Sequence, residues 1–131
     1  MSSKPSQPPR PTDAELEILT VLWSLGPSTV RDVHETIVRR KPAQYTTVLK
    51  TLQIMAEKGL VERNEKQRAH IYTAARPREW TQQQLAGDLL QRAFGGSAAS
   101  LMLGALSAHK ASASELAELK KYLEDYEKGN L

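Results

Sequence analysis

The fold is decided by residues 44–72, which read QYTTVLKTLQIMAEKGLVERNEKQRAHIY. A helical repeat of 100° per residue gathers the apolar side chains of the first half on one side, which predicts a helix packed on a core. These side chains are Tyr45, Val48, Leu49, Leu52, Met55 and Ala56. Lys58-Gly59 ends the helix, because a cation suits the last turn and glycine takes the left-handed position beyond it. Residues 60–63 and 69–73 then predict two strands joined by a polar turn.

Two helices are predicted before this stretch. Thr12 forms a capping box with Glu15 and begins a helix that runs to about Leu25, and Thr29 caps a second, shorter helix. Their apolar spacing predicts core-facing sides made of Leu16, Ile18, Leu19, Val21, Leu22, Trp23 and Leu25 in the first helix and of Val30, Val33, Ile37 and Val38 in the second. His34 falls beside the second stripe and is interpreted as a packed structural histidine rather than a metal ligand or a catalytic base.

The character of the chain changes over residues 77–131. Three short amphipathic helices are predicted there: one that ends before Gly95-Gly96, one over residues 98–106 and one capped by Ser112. None is long enough to be stable alone, and three of them make a thin core, so we expect them to bury their apolar faces against a second copy. The leucines expected in that interface are Leu89, Leu101, Leu116, Leu119 and Leu123.

The predicted fold is mainly α with a small β-wing. Residues 1–11 are expected to be a disordered tail, because they hold four prolines and almost nothing to bury. Residues 12–76 are predicted to form an N-terminal winged helix-turn-helix domain, and residues 77–131 a C-terminal helical dimerisation domain.

The outer face of the predicted third helix carries hydroxyl groups and one lysine. Thr46, Thr47, Lys50 and Thr51 fall there together with Ile54. Hydroxyls and lysine can hydrogen-bond to base edges or phosphates, and threonine methyls and isoleucine can contact a thymine methyl. An ordinary solvent-exposed face is the alternative, but such faces usually carry more acidic residues. The pattern therefore favours a helix, residues 44–58, that reads the major groove of double-stranded DNA.

Positive charge is concentrated in the first part of the chain. Residues 1–76 hold 12 Lys and Arg against 8 Asp and Glu, whereas residues 77–131 hold 6 against 7. This asymmetry predicts that the first part faces a polyanion. The expected phosphate contacts, at the end of the second helix and in the wing over residues 62–72, are Arg39, Arg40, Lys41, Arg63, Lys66 and Arg68. The first three also suit the negative end of the helix dipole, whether or not DNA is bound.

Several kinds of site are excluded by the composition. The chain has no cysteine, so disulfides and thiolate metal clusters are excluded, and its three histidines lack the spacing of metal ligands. No paired carboxylates, nucleophile and base, or phosphate loop is recognisable, so we predict no enzyme, no cofactor and no metal. No apolar run long enough to cross a membrane and no hydrophobic signal segment occur, so a cytoplasmic protein without membrane contact is expected.

A second class of function stays open at this point. A winged-helix module without sequence-specific DNA binding would dock another protein through the same exposed helix face, and Ile54 is the best argument for it. Lys50 and the three cations of the wing argue for DNA instead.

Four segments resemble the BlaI/MecI penicillinase-repressor family: TDAELEILTVLW at 12–23, TVRDVHE at 29–35, YTTVLKTL at 45–52 and EKGLV at 57–61. The resemblance continues in order to residue 126. It implies a homodimeric transcriptional repressor with an N-terminal winged helix and a C-terminal dimerisation domain. It also implies binding to a dyad operator, often with TACA/TGTA half-sites. By position, the family's role in reading the operator falls on Thr46, Thr47, Lys50 and Thr51.

Two departures from the family bear on how repression would be relieved. The antibiotic-resistance members are cleaved at an Asn-Phe bond in the dimerisation domain, where this chain has Gly104-Ala105, which argues against induction by that cleavage. The copper-responsive relatives bind metal through a C-terminal cysteine motif, which a chain without cysteine excludes.

Overall fold

The structure, a computed structural model, describes residues 10–129. Its elements are, in chain order, α1 (Asp13–Leu25), α2 (Val30–Val38), α3 (Tyr45–Lys58), β1 (Val61–Asn64), β2 (Ile71–Ala74), α4 (Arg78–Ala93), α5 (Ala98–Ala108) and α6 (Ala113–Glu127). The predicted fold, mainly α with a small β-wing, is confirmed. The predicted tail, residues 1–11, lies outside the described residues except for Arg10 and Pro11.

The chain forms two compact units that divide between residues 86 and 87, inside α4. The first turns of α4 therefore belong to the first unit, whereas the sequence predicted the end of the N-terminal domain at residue 76. The indole Nε1 of Trp23 donates to the carbonyl oxygen of Arg76 at 3.0 Å, and the Arg78 guanidinium lies over the Trp23 ring. These contacts tie the start of α4 to α1.

The core of the first unit lies between α1, α2, α3 and the hairpin. Its buried apolar side chains are Ile18, Leu19, Val21, Leu22, Val30, Val33, Ile37, Val48, Leu52, Met55, Leu60, Val61 and Tyr72. Their removal from water is the main force that holds the three helices together. Because Val48, Leu52 and Met55 of α3 point into this core, the opposite side of α3 must face outward.

Backbone caps fix where the helices begin and end. The Thr12 hydroxyl accepts from the Glu15 amide at 3.2 Å, and the Glu15 carboxylate accepts from the Thr12 amide at 2.9 Å, which is the predicted capping box. Thr29 and Asp32 form the same reciprocal pair at the start of α2. Gly59 ends α3 at φ +83°, ψ 13°, the left-handed conformation that favours glycine.

The hairpin is joined to the helices by a third short extended segment. β1 pairs antiparallel with β2, with Val61 opposite Ala74 and Asn64 opposite Ile71. Ser28 and Tyr72 exchange backbone hydrogen bonds of 3.0 and 2.7 Å on the other side of β2. Because Ser28 directly precedes Thr29, the N-cap of α2, this bridge holds the wing next to the start of that helix.

Three side chains predicted to face the core are exposed instead. Leu25 is the last residue of α1 and Val38 is the last residue of α2. At these ends the helices extend beyond the elements that they pack against. Tyr45 is the first residue of α3, and its ring meets the edge of the His34 ring at the surface. Helical periodicity gives the direction of a side chain but not the position along the helix at which its packing partner ends.

The second unit, over residues 87–129, has an unusual burial pattern. None of its described residues is buried. The large apolar side chains exposed in it are Leu89, Met102, Leu103, Leu106, Leu116, Tyr122, Leu123 and Tyr126. Gly104 packs close to Phe94, and a Cβ atom added at Gly104 would lie only 3.2 Å from the Phe94 ring. This unit therefore folds with its apolar faces open.

Candidate nucleic-acid interface

The predicted reading residues lie together on the outer side of α3. Thr46, Thr47 and Lys50 are exposed, and Thr51 is half-buried at the edge of the same face. Ile54, one turn further on, is 38% exposed. The only acidic residue of α3 is Glu57, close to its C-terminal end. The side of α3 that faces away from the core is therefore short, polar and free of negative charge over its first three turns.

The hydroxyls on this face differ in what they can still do. The Thr51 hydroxyl donates to the Thr47 carbonyl oxygen at 2.8 Å. Its proton is therefore engaged within α3, and only its lone pairs and its methyl group remain for another molecule. Lys50 makes no ion pair within residues 10–129, so its charge is available on the surface.

The start of α3 is held in place by His34 of α2. The His34 Nε2 lies 2.8 Å from the Ala43 carbonyl oxygen, which can only accept, so Nε2 carries the proton of this hydrogen bond. The same ring packs edge-on against Tyr45, with 5.6 Å between ring centroids. His34 is thus a structural histidine, as predicted, and it fixes the turn that leads into the exposed face.

The wing carries fewer available cations than its sequence suggests. Arg63 donates to the Glu65 carboxylate through Nε at 2.8 Å and Nη2 at 2.7 Å. Its hydrogen bond with the Tyr72 side chain, followed by the one with Glu65, raises the pKa of Arg63 above its ordinary value. Arg63 is therefore already neutralised, whereas Lys66 and Arg68 are exposed and make no ion pair within the described part of the chain.

The cations after α2 also divide into two groups. Arg39 is exposed and has no ion-pair partner among residues 10–129. Lys41 and Arg40 instead approach the same carboxylate, that of Glu17 in α1, at 3.0 and 3.7 Å. Three of the six predicted phosphate contacts, Arg40, Lys41 and Arg63, therefore have an acidic partner within the first unit.

The predicted interface leucines all lie in the second unit. Leu89, Leu116 and Leu123 are exposed, and Leu101 and Leu119 are half-buried. Within residues 10–129 there is no group of His, Cys, Asp or Glu side chains that could hold a metal ion. No helix in this part of the chain is long and apolar enough to cross a membrane.

Most of the chain matches the sequence model of one known family. The sequence model described as "Penicillinase repressor" matches residues 11–125. The chain belongs to the penicillinase repressor family. This confirms the family predicted from the four sequence segments.

Curated relatives of this penicillinase-repressor chain are named as regulators. Two proteins called transcriptional regulator BlaI, from Mycobacterium tuberculosis strains CDC 1551 / Oshkosh and ATCC 25618 / H37Rv, are each 39% identical to it over 82 residues. These alignments cover 62% of this chain, which spans 59% of the length of the relatives it matches. The relatives are regulators rather than enzymes, in agreement with the sequence-based prediction.

Solved structures are similar as well, one of them with DNA bound. It is the solution structure of the Bacillus licheniformis BlaI monomeric form in complex with the blaP half-operator. It is 22% identical, with a TM-score of 0.49, and covers 56% of this chain and 89% of its own.

Two further side chains lie next to the predicted DNA-facing surface, and the sequence did not predict their place there. Arg31 of α2 and His70 before β2 line an open groove of about 420 Å³ with Tyr45 and Arg68. Arg31 is paired with Glu35 at 3.3 Å. A cation in the first turn of a helix opposes the helix dipole, and this is the sequence signal that could have identified Arg31. No comparable signal marks His70, because the groove is made by tertiary packing.

Proposed function

We propose that the protein is a homodimeric transcriptional repressor that occupies a dyad-symmetric DNA operator. The observation that carries this proposal is the outer face of α3, with exposed Thr46, Thr47 and Lys50 on a unit of the penicillinase repressor family. The regulators named among its relatives support the same function. Residues 12–76 would bind DNA, and residues 77–131 would form the dimer.

In this proposal α3, residues 44–58, enters the major groove. The Thr47 and Thr46 hydroxyls and the Lys50 ammonium contact base edges or phosphates, and Lys50 is long enough to reach guanine O6 or N7. Thr51, whose proton is engaged with Thr47, acts as an acceptor for an amino group of adenine or cytosine or through its methyl group. Ile54 supplies an apolar contact for a thymine methyl.

The phosphate contacts come from the cations around this helix. Arg39, Lys66 and Arg68 lack an acidic partner in the described part of the chain and can contact phosphate directly. Three other cations must first give up their carboxylate partner, or share it, before they can contact phosphate: Arg40, Lys41 and Arg63. These contacts set affinity and orientation, whereas the α3 side chains set the sequence.

The dimer is proposed from the exposed apolar surface of residues 87–129. Leu89, Leu101, Leu116, Leu119 and Leu123 are the proposed interface leucines. Burial of apolar surface contributes about 25 cal/mol per Å², and a second copy offers an equal surface to cover. Two recognition helices in one molecule then meet half-sites one DNA turn, about 34 Å, apart.

Repression in this scheme needs no chemistry, because the dimer acts by occupying DNA that transcription requires. The protein must reach the chromosome, so we assign it to the cytoplasm. Its partners are double-stranded operator DNA and a second copy of the chain, and it uses neither cofactor nor metal.

The test is selection of bound DNA. Purified protein is mixed with random genomic fragments at moderate salt, and the retained DNA is sequenced. The expected result is one dyad motif shared by the retained fragments. The matched control is Thr47→Ala with Lys50→Gln, which should retain DNA without enrichment of that motif.

A winged-helix module that docks protein is the second candidate, because Ile54 is exposed on the same face. Failure to retain any DNA above background would favour it. In that case, Ile54→Asp should abolish partner binding in a pull-down, and Lys50→Gln should not.

A further inference from the structure

One carboxylate holds two of the cations proposed to contact phosphate. The Glu17 Oε1 lies 3.0 Å from the Lys41 ammonium, and its Oε2 lies 3.7 Å from the Arg40 guanidinium. The Glu17 side chain is only 23% exposed, whereas both cations are more than half exposed. The two cations are therefore accessible to another molecule, whereas the carboxylate that pairs with them is largely covered by its neighbours.

This pair borders the proposed reading surface. Glu17 and Lys41 line an open groove of about 500 Å³ together with Thr47 and Thr51 of α3. The apolar floor of the groove includes Ile18, Ile37 and Val48. A DNA backbone that passes beside α3 would therefore meet both the cations and the carboxylate that neutralises them.

We infer that Glu17 competes with DNA phosphates for Arg40 and Lys41, and so lowers the affinity of the repressor for DNA of any sequence. The inference rests on the proposed DNA-binding function. A phosphate needs the same N–H donors that the Glu17 carboxylate uses. When a phosphate takes them, Glu17 is left without its partners and close to the negatively charged backbone, which adds repulsion.

This role differs from that of the α3 side chains. The competition takes place at phosphate contacts, which carry no direct sequence information. Its cost therefore applies to operator and random DNA alike. Glu17 is thus an affinity-setting residue, while Thr46, Thr47 and Lys50 provide the discrimination.

The test is Glu17→Gln, which removes the charge and keeps the shape of the side chain. Binding to a random-sequence duplex and to the selected operator is measured by fluorescence anisotropy between 50 and 200 mM salt. The expected result is roughly threefold to tenfold tighter binding to both duplexes. The plot of log affinity against log salt should steepen by about 0.9 for each phosphate that Arg40 or Lys41 newly neutralises.

Two controls separate competition from a general change in charge. Glu118→Gln removes one exposed negative charge from α6, outside the first unit, and should leave both affinities unchanged. In a background with Arg40→Gln and Lys41→Gln, Glu17→Gln should give a clearly smaller gain, because the cations it competes for are absent and only its repulsion of the DNA backbone is relieved. Thermal unfolding of each variant verifies that the fold is retained, and Glu17→Ala serves if Glu17→Gln is unstable.

The outcomes are distinct. Unchanged or weaker binding by a folded Glu17 variant overturns the inference, as does an equal gain with Glu118→Gln or in the doubly substituted background. If wild type and variant both bind no DNA, the proposed function fails and the inference fails with it. If wild type and the Glu17 variant bind DNA with equal affinity, the inference is wrong but the proposed function stands.

Discussion

The carboxylate of Glu15 lies 2.8 Å from the ammonium of Lys58, so the first turn of α1 is joined to the last turn of α3. The same carboxylate accepts the amide of Thr12 within the capping box. Glu15 is 2% exposed, which makes it a buried acidic residue with a partner on each side. The C-terminal end of the proposed reading helix is therefore fixed by Glu15, a member of the capping box of α1.

The first prediction is that Glu15→Gln destabilises the first unit. The substitution removes the charged partner of Lys58 and weakens the cap of α1. Lys58 is partly exposed and can be hydrated, so we expect a loss of about 1–2 kcal/mol in the free energy of unfolding. Urea denaturation measures it. Glu57→Gln, at an exposed residue near the same end of α3, is the matched control, and an equal loss there would contradict the assignment.

The second prediction concerns pH. Burial would raise the pKa of the Glu15 carboxyl, but hydrogen bonds from Lys58 and Thr12 outweigh it and hold the pKa below the ordinary value of 4.5. The unfolded state then binds more protons, so this contribution to stability rises with pH. It is complete above about pH 5 and is lost as the pH falls through the folded-state pKa.

A series of urea titrations between about pH 7 and pH 3 tests this dependence. The difference in unfolding free energy between wild type and Glu15→Gln should stay constant down to about pH 5 and shrink below it. A difference that grows with acidity would be opposite in sign to the prediction.

The third prediction is that Thr47→Ala loses discrimination while the fold is kept. The Thr47 side chain is exposed, so its removal costs little stability. Operator affinity should fall by about 1–3 kcal/mol, and affinity for random DNA should hardly change. Anisotropy titrations with both duplexes measure the ratio. Ser114→Ala, which removes an exposed hydroxyl from α6, is the control. Equal losses on both duplexes would remove Thr47 from the base-reading set.

The fourth prediction is that Leu123→Asp weakens the dimer. Leu123 is 49% exposed in the single chain, and a carboxylate placed in an apolar interface loses its hydration without gaining a partner. Sedimentation equilibrium should give a dimer dissociation constant at least about tenfold higher. Ala117→Asp introduces the same charge about 120° away around α6 and should have a smaller effect. If both variants remain dimeric, the interface lies elsewhere.

Much of the fold could be predicted because its signals are local. The capping box at Thr12, the cap at Thr29 and the glycine after Lys58 marked the helix ends that the structure has. The helical repeat also separated the core side of α3 from its outer side. The exposed positions of Leu25 and Val38 were not predictable in this way, because they depend on where the packing partner ends.

The charges of the candidate interface were less predictable. Arg40, Lys41 and Arg63 all fit a basic surface by residue type, but their availability depends on Glu17 and Glu65. Glu65 is two residues from Arg63 and a local pair could have been anticipated. Glu17 lies in another helix, and only the packing of α1 beside the turn after α2 brings it to Lys41. Sequence identifies the cations, whereas tertiary structure decides which of them already have a counter-ion.

The open apolar faces of residues 87–129 make the cellular concentration of the chain a factor that controls how much dimer forms. If two copies are needed to cover these faces, the concentration of dimer rises with the square of the chain concentration when dimers are scarce. Operator occupancy then responds more steeply to synthesis and degradation than a monomeric regulator would allow. A cell could therefore lift repression by a modest fall in the supply of this chain, with no inducer bound and no change at the DNA-reading face.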